Sequence, residues 1–203
     1  MALSSGAATP GAGETGLANG TIFNLSRAIV MVVDDNNFSL RLTTQTLLGL
    51  GIKARYQCID AKSAVEILKT HTVDLLIVDC DMPGPDGYDL VSWLRRSNLE
   101  PNAFTPVLMI SGHTRATEVA KARDCGANFI IARPITAAVL LERILWLARD
   151  PRPFIQSDAY AGPDRRFNDA SDLPAGQEER RADRLRGPAT SSRDSAASME
   201  IKP

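Results

Sequence analysis

The sequence predicts one doubly wound α/β domain, a parallel sheet covered by helices on both faces, and three observations carry that prediction. Between Arg27 and Arg149, short runs of Val, Ile, Leu and Met alternate with amphipathic stretches. Most of these runs are apolar throughout, the pattern of strands buried on both faces of a parallel sheet. The connections between them are short, which implies right-handed crossovers and three layers.

The strand candidates are Ala28–Val33, Ile52–Gln57, Leu75–Val78, Val107–Ile110 and Phe129–Ala132. Ile52–Gln57 is half polar and suits an edge. The first helix spans Asn37–Leu50, carries Phe38, Leu42, Leu47 and Leu50, and stops at Gly51. Ala61–Thr70 sets Ala64, Val65 and Leu68 on one stripe. Gly87–Ser97 ends before Asn98, Arg115–Cys125 ends before Gly126, and Thr136–Arg149 completes the set.

On either side the composition changes. Residues 1–26 are rich in Gly, Ala, Ser and Thr without a helical or strand period and read as a disordered arm. Residues 150–203 are rich in Asp, Arg, Pro, Gly and Ser, with too few large apolar residues to close a core, and read as a disordered tail. The domain is therefore expected over residues 27–149.

Charge and cysteine usage exclude several classes of function. With 23 Lys and Arg against 24 Asp and Glu, the formal net charge is -1, so no bulk attraction to nucleic acid or to an acidic membrane is expected. The tail cannot supply the packed helices of a helix-turn-helix output domain. Cys58, Cys80 and Cys125 lack CxxC spacing and fit reduced thiols better than disulfides or a zinc site. No basic segment followed by an apolar run marks a signal peptide, and no apolar run is long enough to cross a bilayer. The expected location is cytoplasmic.

Placed on this scaffold, the polar residues converge. Asp34 and Asp35 follow the first strand, Asp79 the third, Ser111 the fourth and Arg133 the fifth. All gather at the carboxyl edge of the sheet, where open α/β folds bind ligands. Three converging carboxylates repel one another. A hard cation such as Mg2+ relieves this and takes oxygen ligands alongside substrate phosphate. A carboxylate beside it can attack a phosphoryl group, and the charge on the phosphoryl oxygens then calls for a hydroxyl and a cation. Ser111 and Arg133 are of the right type. Singly, each residue has a plainer reading: Asp35 or Asn36 as a helix cap, Ser111 as a turn former. Joint placement at four strand ends is what points to a site.

The stretches VMVVDDN ending at Asn36, DLLIVDCDMPGPDG ending at Gly87, PVLMISGH ending at His113 and ANFIIARPI ending at Ile135 resemble the motif blocks of response-regulator receiver domains, in order and in spacing. The resemblance covers roughly Arg27 to Arg149. It implies a flavodoxin-like fold with strand order 2-1-3-4-5. It implies Mg2+ held by Asp34, Asp35, Asp79 and the backbone carbonyl of Asp81. Asp79 would receive a phosphoryl group from a histidine kinase or a phosphotransfer protein, with Ser111 at the Ser/Thr switch position. The role implied is that of a two-component signalling protein acting through a protein partner, not of an enzyme.

Two positions depart from the family pattern. Arg133 stands before Pro134 where Lys is usual; a guanidinium keeps the charge but is longer and planar, and it is expected at the edge of the site, near solvent. Ile130 stands where a Tyr or Phe is usual. Its neighbour Phe129 points to the opposite face of the strand, so the usual coupling of Ser111 to a ring must be modified. His113 and Asp81 fall where the family tunes the lifetime of the phosphate.

Other readings stay open. With Arg133 and Ile130 altered, the domain could be a pseudo-receiver scaffold that no longer uses phosphate. The Arg-rich segments ending at Phe167 and Arg186 resemble extensions that bind cyclic di-GMP, although Asp and Glu are interleaved with nearly every Arg. The last helix carries more apolar residues than one buried stripe of Leu140, Ile144, Leu147 and Ala148 needs. Val139, Leu141, Leu145 and Trp146 remain for a homodimer or partner interface, or for cover by Pro153, Phe154 and Ile155 folding back.

Overall fold

The computed structural model describes residues 25–112 and 115–165. Five parallel strands, β1 (Val30–Val33), β2 (Ala54–Cys58), β3 (Leu75–Asp79), β4 (Val107–Ser111) and β5 (Phe129–Ala132), form one sheet in the order β2-β1-β3-β4-β5. Between and after them run α1 (Asn37–Gly49), α2 (Ala61–Thr70), α3 (Gly87–Arg96), α4 (Ala116–Asp124) and α5 (Ala137–Leu147). This is the flavodoxin-like arrangement that the motif blocks imply.

The strands form where apolar residues are continuous. β1, β3 and β4 are buried at every position, whereas β2 alternates as an edge strand should. Alternate side chains feed two cores. Met31, Leu76 and Met109 pack with Leu68 of α2 and Leu94 of α3 on one face; Val32, Ile77 and Leu108 pack with Leu47 of α1 and Leu140 of α5 on the other. β3 and β4 each run one residue further than their apolar runs, because Asp79 still pairs with Ile110 and Ser111 with Ala132. Side chains cap the helix starts: Asn36 for α1, Asp60 for α2, Asp86 for α3 and Thr136 for α5. Because Asn36 caps α1, Asp35 is left for the site.

After α5 the chain departs from expectation. Phe154–Gln156 (β6) and Ala161–Pro163 (β7) pair as an antiparallel hairpin packed on α3, so ordered structure continues past Asp150. Its anchor is Arg95, 2% exposed. Arg95 donates to the carbonyls of Gly126 (2.9 Å) and Ala103 (2.8 Å) and to Asn128 Oδ1 (3.0 Å). The Phe154 ring covers its guanidinium at 5.6 Å and stands edge-on to Phe104 at 4.7 Å. Gly126, at φ 92°, ends α4 where a Cβ would lie 2.3 Å from the Ala161 carbonyl oxygen. Arg165 closes the hairpin on Asp124 at 2.7 Å. The local signal was Phe154, Ile155 and Tyr160 around a Ser157–Asp158 turn, diluted by the polar composition of the longer tail. At the other end, Leu25–Arg27 forms a 3-10 turn with Leu25 against the α1/α5 core. The rest of the expected arm and tail lies outside the described residues.

Candidate functional site

β1 and β3 are neighbours in the sheet. Asp34, just past β1, and Asp79, at the end of β3, are therefore brought side by side, with Asp35 next along the chain. Carboxylate oxygens of all three lie within 4.8 Å of one another. Asp34 is 2% exposed and Asp79 5%, while Asp35 is exposed. Burial pushes Asp79 up to about 6, Arg133 opposes that rise, and the charge of Asp34 adds to it. Asp34 is also raised, chiefly by burial, against a hydrogen bond donated by the Asn36 N–H at 3.0 Å. An all-oxygen donor set with two dehydrated members suits a hard divalent cation. The adjacent Cys80 is buried in the α3-side core, and burial pushes its thiol up to about 12, so it offers no soft ligand.

The Arg133 guanidinium stays partly exposed at the edge of the site, as expected, and also reaches inward. It forks between the two buried carboxylates, with Nη1 3.2 Å from Asp79 Oδ1 and Nη2 on Asp34 Oδ2, and the side chain is 30% exposed. Two buried anions without a counter-charge cost more than partial dehydration of a guanidinium, whose fork matches the pair. The Arg133 N–H donates to the Ser111 carbonyl at 2.8 Å, which sets the stem over the site. Ser111 is buried at the end of β4, and Asp81 is exposed in the loop after β3. His113 lies outside the described residues.

The start of α3 presses on the acceptor strand: a Cβ on Gly87 would sit 2.0 Å from the Asp79 carbonyl oxygen. On β5, Ile130 packs toward the α3-side core, whereas Phe129 lies on the α5 side, tilted 66° to Trp146 at 5.3 Å. The two residues thus occupy opposite faces, as strand alternation requires. Sequence reasoning passed over Tyr88, directly after Gly87. Its hydroxyl donates to Glu118 Oε2 of α4 at 2.8 Å, and Lys121 lies 5.6 Å from its ring centre.

Two apolar surfaces remain, and only the one on α5 was anticipated; Phe38 and Leu42, counted with Leu47 and Leu50 on the apolar pattern of α1, face solvent instead. Phe38 (77% exposed) and Leu42 (57%) stand one turn apart on α1, just beyond the site. On α5, Val139, Leu141, Leu145 and Trp146 are half-buried. Trp146 is covered by Phe129 and by the Arg152 guanidinium at 5.0 Å. The chain does fold back over α5, but through Arg152, while Phe154 packs on Phe104 and Arg95.

Known proteins resemble this chain over the same span. The sequence profile of the response regulator receiver domain family matches residues 30–145. Chemotaxis protein CheY-3 of Vibrio cholerae is 31% identical over 115 residues, 57% of this chain and 87% of that protein. Sensor histidine kinase RcsC of Escherichia coli is 28% identical over 127 residues, 61% of this chain and 12% of that protein. Among solved structures, the chemotaxis protein CheY4 of Vibrio cholerae superposes with a TM-score of 0.55 at 24% identity, covering 59% of this chain and 98% of that one. A response regulator receiver protein from Pseudomonas putida superposes at 0.53 with 28% identity, covering 59% and 96%. Among the described residues, no helix is long and apolar enough to cross a membrane.

Proposed function

The chain belongs to the response regulator receiver domain family, a family of signalling modules, and from that premise we propose that it is a two-component response regulator phosphorylated on Asp79. The observation that carries this reading is the convergence of Asp34, Asp35 and Asp79 within 4.8 Å at the carboxyl edge of the sheet. These three, with the backbone carbonyl of Asp81, would hold Mg2+, which would neutralise the carboxylates and supply positive charge for the phosphoryl oxygens of the donor. Asp79, raised to about 6, is ionised at neutral pH. Its oxygen bonds to phosphorus while the bond from phosphorus to the donor imidazole breaks and the electron pair returns to nitrogen. Arg133 then exchanges its carboxylate partners for phosphoryl oxygens, and the Ser111 hydroxyl donates to the same group.

The donor fits a histidine kinase or phosphotransfer protein, because the exposed Phe38 and Leu42 offer an apolar docking patch beside the site. Output passes to a protein partner or a second copy through α5, in the cytoplasm. The alternative of a cyclic di-GMP effector rests on tail arginines; of these, Arg165 is held by Asp124, and Arg166 onward lie outside the described residues. The pseudo-receiver reading draws its support from the Arg133 fork, which already neutralises the carboxylates.

Incubation with acetyl phosphate and Mg2+, read by intact mass, separates the readings. Wild type gains one phosphoryl group, Asp79→Asn gains none, and Asp35→Asn needs more Mg2+. A wild-type chain left unmodified under conditions that label an ordinary receiver would establish the scaffold instead.

A further inference from the structure

β5 carries no ring on the face toward α4: Ile130 occupies that side and Phe129 stacks on α5. An aromatic side chain does reach α4, from a different element. Tyr88 of α3 is buried in the same core that Ile130 packs against. Its hydroxyl donates to Glu118 Oε2 at 2.8 Å, and Lys121, one turn on, lies 5.6 Å from the ring centre and 3.6 Å from Glu118 Oε1. Tyr, Glu and Lys thus form one side-chain junction between α3 and α4.

The other end of that junction is fixed to the acceptor strand. Gly87, the residue before Tyr88, has its Cα so close to the Asp79 carbonyl that no Cβ fits, and its N–H donates to the Cys80 carbonyl at 3.2 Å. Tyr88 and Cys80 are also buried in the same core. A shift of the Asp79–Cys80 backbone therefore moves Tyr88 with it. α4 is free to respond. It has nine residues, starts after Arg115 without a side-chain cap and buries one of them, Ala122, so few contacts oppose its displacement.

We propose that the Tyr88–Glu118 hydrogen bond is the latch that reports the state of Asp79 to α4, in place of a ring on β5. Closed, it holds α4 against α3 in the unphosphorylated protein. Phosphorylation draws the end of β3 and the start of α3 toward the phosphoryl group, parts Tyr88 from Glu118 and loosens α4. The proposal rests on Asp79 being the acceptor. A hydrogen bond to a carboxylate is strong enough for the task, since its loss changes an opening equilibrium by about tenfold or more.

Amide hydrogen exchange of the full-length protein over residues 116–124 tests this, with and without acetyl phosphate and Mg2+ and with intact mass recorded on each sample. In wild type, phosphorylation should speed exchange in α4 by about tenfold. Tyr88→Phe keeps the ring in the core and removes the hydroxyl. It should show the faster exchange without phosphate and little further change with it. Glu118→Ala should match it, and Glu118→Gln, which keeps an acceptor, should behave more like wild type. Exchange in unphosphorylated Tyr88→Phe equal to that of wild type, or a full phosphorylation response in that variant, overturns the latch. Absence of the mass gain in wild type overturns the acceptor assignment, and the latch with it.

Discussion

At the scale of single residues, Arg133 and Asp79 form a pair whose balance depends on pH and metal. Burial raises Asp79 from its ordinary value of 3.8 to about 6, so the folded state holds a proton that the unfolded chain releases. Between about pH 4 and pH 6 the folded state binds more protons, and stability without metal falls as pH rises, by about 3 kcal/mol. Below that window both states are protonated and the penalty is absent. Mg2+ stabilises the ionised carboxylates and should flatten the fall. Thermal melts from pH 4 to 7, in EDTA and in Mg2+, check both parts; a flat profile in EDTA would show that Asp79 is not held above its ordinary value. Arg133→Met removes the fork and leaves Asp34 and Asp79 without their guanidinium. In EDTA at pH 7 it should cost about 2 kcal/mol, less than a fully buried pair because Arg133 is partly exposed. Mg2+ should restore most of that loss. Identical melting of wild type and variant in EDTA would mean that the fork contributes nothing.

At the scale of elements, the β6–β7 hairpin belongs to the fold although the composition of its surroundings is that of a solvated tail. It covers Arg95, a cation whose partners are two backbone carbonyls and one side-chain amide oxygen. Truncation after Arg149 strips Phe154 from that guanidinium and Ala161 from Gly126. The expected outcome is a stability loss of about 3 kcal/mol in urea denaturation, from lost apolar burial and the lost contact between the Phe154 ring and the Arg95 guanidinium. Gly126→Ala should cost about 2 kcal/mol by the same measure, because it combines a positive φ with a clash on the Ala161 carbonyl. If truncation leaves the denaturation midpoint in place, the hairpin is detached in solution. Sequence reasoning missed this element because each strand has three residues, one of them Pro163, and three residues cannot establish a period.

At the scale of the whole molecule, the two edges of the sheet are divided. The carboxyl edge holds the acidic site with the apolar Phe38 and Leu42 beside it. The hairpin braces the opposite edge through Arg95 and Gly126. α5 lies along the side, with Leu141 and Leu145 half-buried one turn apart. If α5 is the output surface, wild type should sediment as a dimer at micromolar concentration and Leu141→Gln with Leu145→Gln as a monomer. Trp146 is the poorer target, since Phe129 and Arg152 cover it and its loss disturbs the core. Wild type that sediments as a monomer and binds its partner equally well with the double substitution would remove α5 from the interface.

The five-stranded fold and the place of the site could be read from the sequence alone because both are local patterns. A continuous apolar run marks a buried strand wherever it lies, and a polar residue at its end marks the carboxyl edge of the sheet. Asp34, Asp35, Asp79 and Arg133, which the structure brings together, were picked out that way, as was Ser111 at the end of β4. Only the tertiary structure decided how the side chains pair across distance. The fork joins Arg133 to Asp34, 99 residues earlier, and Tyr88 meets Glu118 30 residues on. Arg95 is buried by Ala103 from one other segment and by Gly126 and Asn128 from a second. Whether a charged or hydroxyl side chain faces water or a partner depends on the desolvation and counter-charge that packing supplies, and neither quantity is written in the residues next to it in the chain.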